Sequence, residues 1–166
     1  MIKNDLEPQL MDFDRAMACP DQPDECWKAL QILTGAVAGF KLFTVMTVDM
    51  VHEVARRAYS SHPADYPVSG TKPIHYDGWF EIVHKQHKSF VANTIAHIAK
   101  VFPDHEKIRA LGCGSVVNLP VIIEGQLAAT INMLHEEHYY NPARVELIER
   151  HLSLPARRAC LAALAD

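Results

Sequence analysis

The sequence has no run of lysine and arginine, no apolar stretch of membrane-spanning length, and no pair of cysteines at CxxC spacing. Each absence removes a class of function. With a formal net charge of -4 and no basic stripe, the chain lacks the electrostatic footprint of a nucleic-acid binder. Its opening, MIKNDLEPQL, lacks the apolar centre of a secretory signal, so a cytoplasmic location without membrane association is expected. The four cysteines, Cys19, Cys26, Cys113 and Cys160, are scattered, which argues against a zinc knuckle or a thioredoxin-like motif and for reduced thiols. Internal repeats and low-complexity tracts are missing too. What remains is an ordinary globular balance, 49% hydrophobic and 22% charged over 166 residues, long enough for one domain with a real core.

Periodicity orders the elements. Leu6, Leu10, Phe13 and Met17 recur at helical spacing before the break Cys19-Pro20-Asp21-Gln22-Pro23. A second helix is expected from Pro23 to about Gly39, with Cys26, Leu30, Leu33 and Val37 on one stripe. The residues LFTVMTVDM from Leu42 favour a strand, and a tight turn near Asp49 pairs it with VHEVARRAYSS. HPADYPVSGTKP, with three prolines, is read as an irregular loop. HYDGWFEIVHKQ suits a helix, KSFVAN a short strand, and Thr94 to Leu111 two helical pieces parted at Pro103. Two strands, GSVVNLPVII and QLAATINML, flank a two-residue turn at Glu124-Gly125. Asn141 caps and Pro142 opens a last helix, with a kink expected at Pro155. Hairpins between terminal helices imply an α+β fold with an antiparallel sheet.

KSFVANTIA, then IRALGCGSVVNLPVIIEGQLAATINML, then a terminal helix resemble a GAF domain, the small-molecule sensor fold related to PAS. Ser115, Pro120, Gly125 and Asn132 carry the hallmark residues, and the resemblance spans roughly Pro23 to Ala165. It implies a central antiparallel sheet with the N- and C-terminal helices on one face and a covered pocket on the other. It also implies residues 23–166 as the GAF domain and 1–22 as an N-terminal helix suited to dimerisation. By this resemblance His75 to Gly112 forms the cover and Tyr59 to Pro73 a lid. A cyclic-nucleotide NKFDE-type motif, a bilin-attachment Cys-His pair and the cysteine set of the free methionine sulfoxide reductases are not reproduced.

Several constellations invite chemistry. His135 and His138 in HEEH stand three apart, but Asn141-Pro142 starts the next helix after them, so a solvated loop is the better reading. His84 and His87 have the same spacing beside Lys85 and Lys88, which disfavour a bound cation. No metal or cofactor is expected. Cys113 opens a strand toward the expected pocket; with His105, its neighbour by the resemblance, it would be a nucleophile or redox sensor, against the plainer reading of a buried thiol.

Asn118 interrupts an apolar strand, and a buried amide needs partners. Asn132 raises the same question. A regular two-residue hairpin opposes Asn118 to Ile131 and Asn132 to Val117, on opposite faces, unless a bulge intervenes. Trp79 is the aromatic expected in the pocket. Arg57, Tyr66 and Lys72 form either a clamp for a carboxylate or phosphate or a set of exposed side chains. The ligand-binding residues expected are therefore Arg57, Tyr66, Lys72, Trp79, Cys113, Ser115, Asn118 and Asn132.

The leading expectation is a sensory, regulatory module that binds a small organic molecule, forms a homodimer and signals through another protein. The alternatives are a small cysteine enzyme or redox sensor centred on Cys113, and a scaffold with an empty pocket.

Overall fold

The computed structural model describes residues 6–18, 20–68 and 70–165; Cys19 lies outside them. Two helices, α1 (Glu7–Ala18) and α2 (Pro23–Val37), precede the sheet. α2 begins where the sequence provides a cap: Pro23 enters its first turn, and the Glu25 carboxylate accepts from the backbone N–H groups of Asp21 and Gln22 at 2.6 and 3.3 Å. The strands β1 (Leu42–Asp49), β2 (Val54–Ser60), β3 (Thr71–Pro73), β4 (Phe90–Ala92), β5 (Ser115–Ile123) and β6 (Gln126–His135) form one sheet in the order β3-β2-β1-β6-β5-β4. Every pairing is antiparallel.

The loop read as irregular contains β3, a three-residue edge strand that Pro73 ends where no ladder donor is needed. The single helix expected over HYDGWFEIVHKQ is instead α3 (Gly78–Phe80) running into a π-helical turn (Glu81–Lys85), started by the Asp77 side chain, which accepts from the Phe80 N–H at 3.0 Å. The two pieces parted at Pro103 are α4 (Ile95–Val101) and α5 (His105–Ala110). The last helix, α6 (Pro142–Ala163), is capped by Asn141 and runs on through the buried Pro155.

Alternation along the strands divides the core in two. Phe43, Val45, Val117, Leu119, Ile131 and Met133 meet Phe13, Trp27, Leu30, Ile148 and Leu152 of α1, α2 and α6. The neighbouring residues Leu42, Val116 and Leu134 face the other way, toward Val83, Ile98 and Ile108 of the cover.

Two bulges set which residue faces which layer. The β5–β6 turn has the expected two residues, with Glu124 and Gly125 both at positive φ as a type I′ turn requires. Ile122 pairs with Leu127 but Val121 pairs with Ala129, so Ala128 is an extra residue. Beyond it Asn118 opposes Asn132. The expectation that the two asparagines face opposite ways is thus corrected by one bulged residue. A second bulge lies in β2: Val45 pairs with Tyr59 but Met46 with Arg57, leaving Ala58 extra. Arg57 lies on the turn side of this bulge, in unbroken register with the β1–β2 hairpin; beyond the bulge, Tyr59 is sent to the side of the helices, where its hydroxyl donates to Gln31 at 2.5 Å.

Candidate functional site

Between the sheet and its cover lies a cavity of about 330 Å³. Its floor comes from β1, β5 and β6, one wall from β2 and β3, and its roof from α3 and the segment joining α4 to α5. Most of its lining is apolar, and Leu42, Met46, Val48, Val116 and Leu134 contribute. Across this surface runs one polar row. The Trp79 indole Nε1–H donates to Asn118 Oδ1 at 2.9 Å, Asn118 Nδ2 to Asn132 Oδ1 at 2.7 Å, and Asn132 Nδ2 to Thr44 Oγ1 at 3.2 Å. The indole can only donate, so it fixes the first amide's orientation, and that amide fixes the next. The direction of the whole relay follows from one nitrogen.

A second polar group occupies the wall. Arg57 is 8% exposed, and its guanidinium lies over the Tyr66 ring with Cζ 4.8 Å from the centroid. Nη1 donates to the Pro67 carbonyl at 3.1 Å, whereas Nε is buried without a partner. Among the described residues no carboxylate lies within ion-pairing distance of it. The Tyr66 hydroxyl donates to Asp104 Oδ2 at 3.0 Å, and Lys72 Nζ stands 3.8 Å from the same oxygen. Burial, reinforced by the Asp104 carboxylate, pushes the Tyr66 phenol well above its ordinary range, so it stays a donor. Asp104 therefore clips the β2–β3 loop to the corner between α4 and α5.

Of the residues expected from sequence, Arg57, Tyr66, Lys72, Trp79, Asn118 and Asn132 line this cavity. Cys113 and Ser115 do not. Ser115 is buried and donates to the Glu136 carbonyl at 2.6 Å. Cys113, expected to face the pocket and be activated by His105, is packed among apolar residues, and its thiol is 3.9 Å from the Leu111 carbonyl. Burial pushes its pKa up to about 11, the opposite of what a nucleophilic thiolate needs.

Among the lining residues not singled out from sequence are two that bond directly to the expected ones, Thr44 and Asp104. Thr44 alternates with Leu42, Met46 and Val48 in LFTVMTVDM, so a polar residue on an apolar face was there to be noticed, as with Asn118. Asp104, next to Pro103 at the start of α5, carries no local sequence signal of a place in the cavity.

Of the histidines, His135 stacks on the Tyr139 ring with centroids 3.5 Å apart, and His84 stacks on Phe80 at 4.3 Å. Among the described residues no cluster of three or more His, Cys, Asp or Glu is placed to hold a metal ion.

No family model and no curated protein matches the chain by sequence. Solved structures do match by shape. The GAF domain/HD domain protein from Geobacter sulfurreducens superposes with a TM-score of 0.67 at 16% identity, covering 90% of this chain and 99% of that one. The GAF domain of a phosphoenolpyruvate-protein phosphotransferase from Coxiella burnetii has a TM-score of 0.67 at 13% identity, covering 95% of each chain. The GAF domain of a two-component sensor histidine kinase from Bacillus halodurans has a TM-score of 0.60 at 10% identity, covering 80% and 91%. The chain has the α+β fold of a GAF domain. Among the described residues no helix is long and apolar enough to cross a membrane.

Proposed function

We propose that this protein is a sensory module that holds a small organic molecule between its sheet and the α3–α5 cover and reports its presence by moving that cover. The observation that carries the reading is an apolar cavity crossed by a bonded polar row and flanked by a buried guanidinium without a carboxylate partner. Apolar cavities with a few convergent polar groups are the usual form of a ligand site. The junction between the cover and the β2–β3 side of the cavity suits that movement, because the contacts of Tyr66 and Lys72 with Asp104 hold the two together.

The likeness to the GAF domain of a sensor histidine kinase supports a sensory role at the level of fold. Exposed apolar residues on α1 and α6, including Met11, Leu154 and Leu161, suit a homodimer or a downstream protein partner in the cytoplasm. The Cys113-centred enzyme is not adopted, since its thiol is held neutral.

Native mass spectrometry of freshly purified protein tests the reading, followed by thermal shift with whatever co-purifies. The expected result is a bound organic species of one per chain that raises the melting temperature and is lost in Ala55→Trp, which fills the cavity. A folded Ala55→Trp protein that keeps the bound species would place the ligand elsewhere.

A further inference from the structure

Resting on that reading of the cavity, we propose that its ligand is a monocarboxylate with an apolar body, the carboxylate seated on Arg57 and within reach of the Thr44 hydroxyl.

Charge comes first. The charged residues lining the cavity are Arg57, Lys72, Asp77 and Asp104. Lys72 and Asp104 face each other at 3.8 Å, and the Asp77 side chain is engaged by the Phe80 N–H at the start of α3. Asp77 is exposed and also outside any ion pair, so Arg57 is the one buried charge of the four without an opposite partner among the described residues. A buried guanidinium without one is costly, and a carboxylate matches its planar fork of donors. A phosphate, carrying up to about two negative charges, would bring one more than the cavity can match.

The floor gives the second argument. In the relay from Trp79 to Thr44 each named acceptor oxygen already receives a hydrogen bond. Thr44 Oγ1 accepts from Asn132, which leaves its own hydrogen as the donor at the end of the row. The floor thus asks for an acceptor. Arg57 pairs with Met46, and Thr44 lies two residues back on the same face of β1. Their backbones are diagonal neighbours, roughly 7–8 Å apart, a gap that a long side chain and a carboxylate span. The β1–β2 hairpin sets this proximity, since its pairing runs unbroken from Asp49 with Val54 to Met46 with Arg57 and so puts Arg57 on the cavity side.

Size and polarity supply the third. A volume near 330 Å³ equals on the order of ten liquid waters, room for a ligand of roughly ten non-hydrogen atoms. Beyond the polar row, Leu42, Val48, Val116 and Leu134 offer only apolar contact.

The test uses three probes sharing one body, phenylacetate, phenylacetamide and phenethylamine, titrated by calorimetry and ligand-observed NMR into the full chain. Phenylacetate is expected to bind at least about tenfold tighter than the amide, and the amine not at all. Arg57→Met is expected to erase the acid-over-amide preference, and Arg57→Lys to keep part of it because a point charge lacks the fork. Thr44→Val should weaken the acid about threefold or more while leaving the amine unbound. The amide or the amine binding as tightly as the acid overturns the carboxylate assignment and leaves the cavity standing as a ligand site. Arg57→Met retaining the preference likewise refutes Arg57 as its seat. If none of the three binds the folded chain and none perturbs Trp79 fluorescence, the ligand-site reading itself fails. Should Arg57→Met not fold, the Lys variant and the acid-against-amide comparison on the unaltered chain still decide.

Discussion

The two faces of the one sheet are made by the same strands and differ by a single step along each. On the side of α1, α2 and α6, Phe43, Val45, Val117, Ile131 and Met133 are fully buried and interlock with Trp27, Leu30 and Leu152. One residue along, Thr44, Asn118, Thr130 and Asn132 line a void. Close packing on the first face leaves the second free to give up dispersion contacts for an opening. The polar residues there cost little because three of them bond one another and a fourth partner, Trp79, closes the row. Close packing is concentrated on one side and open space on the other, a division that suits the proposed movement of the cover.

That contrast breaks or sharpens under substitution. Leu152→Ala, at a fully buried position on the helix side, should cost about 3–5 kcal/mol in urea denaturation, whereas Met46→Ala beside the existing cavity should cost less than about 2 kcal/mol. Equal costs would mean that the two faces are packed alike.

The thiols probe the same difference in motion. Cys113 on the cavity side and Cys160 on the helix side both have pKa values pushed up to about 11 by burial, from an ordinary 9.0. At pH 8 each should react with iodoacetamide about a hundredfold more slowly than a free thiol, with Cys113 the faster of the two if the cover opens. The sign for stability follows: the folded state keeps protons that the unfolded state releases, so this contribution is complete below pH 9 and declines toward pH 11. An alkaline denaturation profile flat across that window would contradict it.

Asn132→Ala removes the middle of the relay and should cost about 1–2 kcal/mol, because Asn118 Nδ2 then turns to water in the cavity instead of an amide oxygen. The smallest effect on stability is expected at Arg57. Replacing a buried, uncompensated cation by an apolar side chain of similar length should leave the unliganded protein within about 1 kcal/mol of its starting stability, or raise it. A large loss in Arg57→Met would show that the guanidinium is structural.

Much of this architecture was legible. The capped starts at Pro23 and Pro142, the Glu124-Gly125 turn and the β-branched strands are local signals, and each element order follows from them. The buried asparagines stood out because an amide in an apolar strand needs an explanation. Other parts were hidden. Asp104 gained a place at the cavity only when Tyr66, 38 residues away, reached it. Cys113 looked placed for chemistry until its apolar surroundings were known.

By itself, then, the sequence determined the elements, their order and the two-layered amphipathic sheet, because capping, turn chemistry and hydrophobic period act over a few residues. Tertiary structure decided which side each polar residue takes. Ala58 and Ala128 carry no local mark of a bulge, yet each shifts a strand by one place, and a one-residue shift exchanges the faces. The closing of the helix-side core against α2 and α6 selects that register, and with it the pairing of the two asparagines in the cavity, whereas Arg57 is placed by its own hairpin.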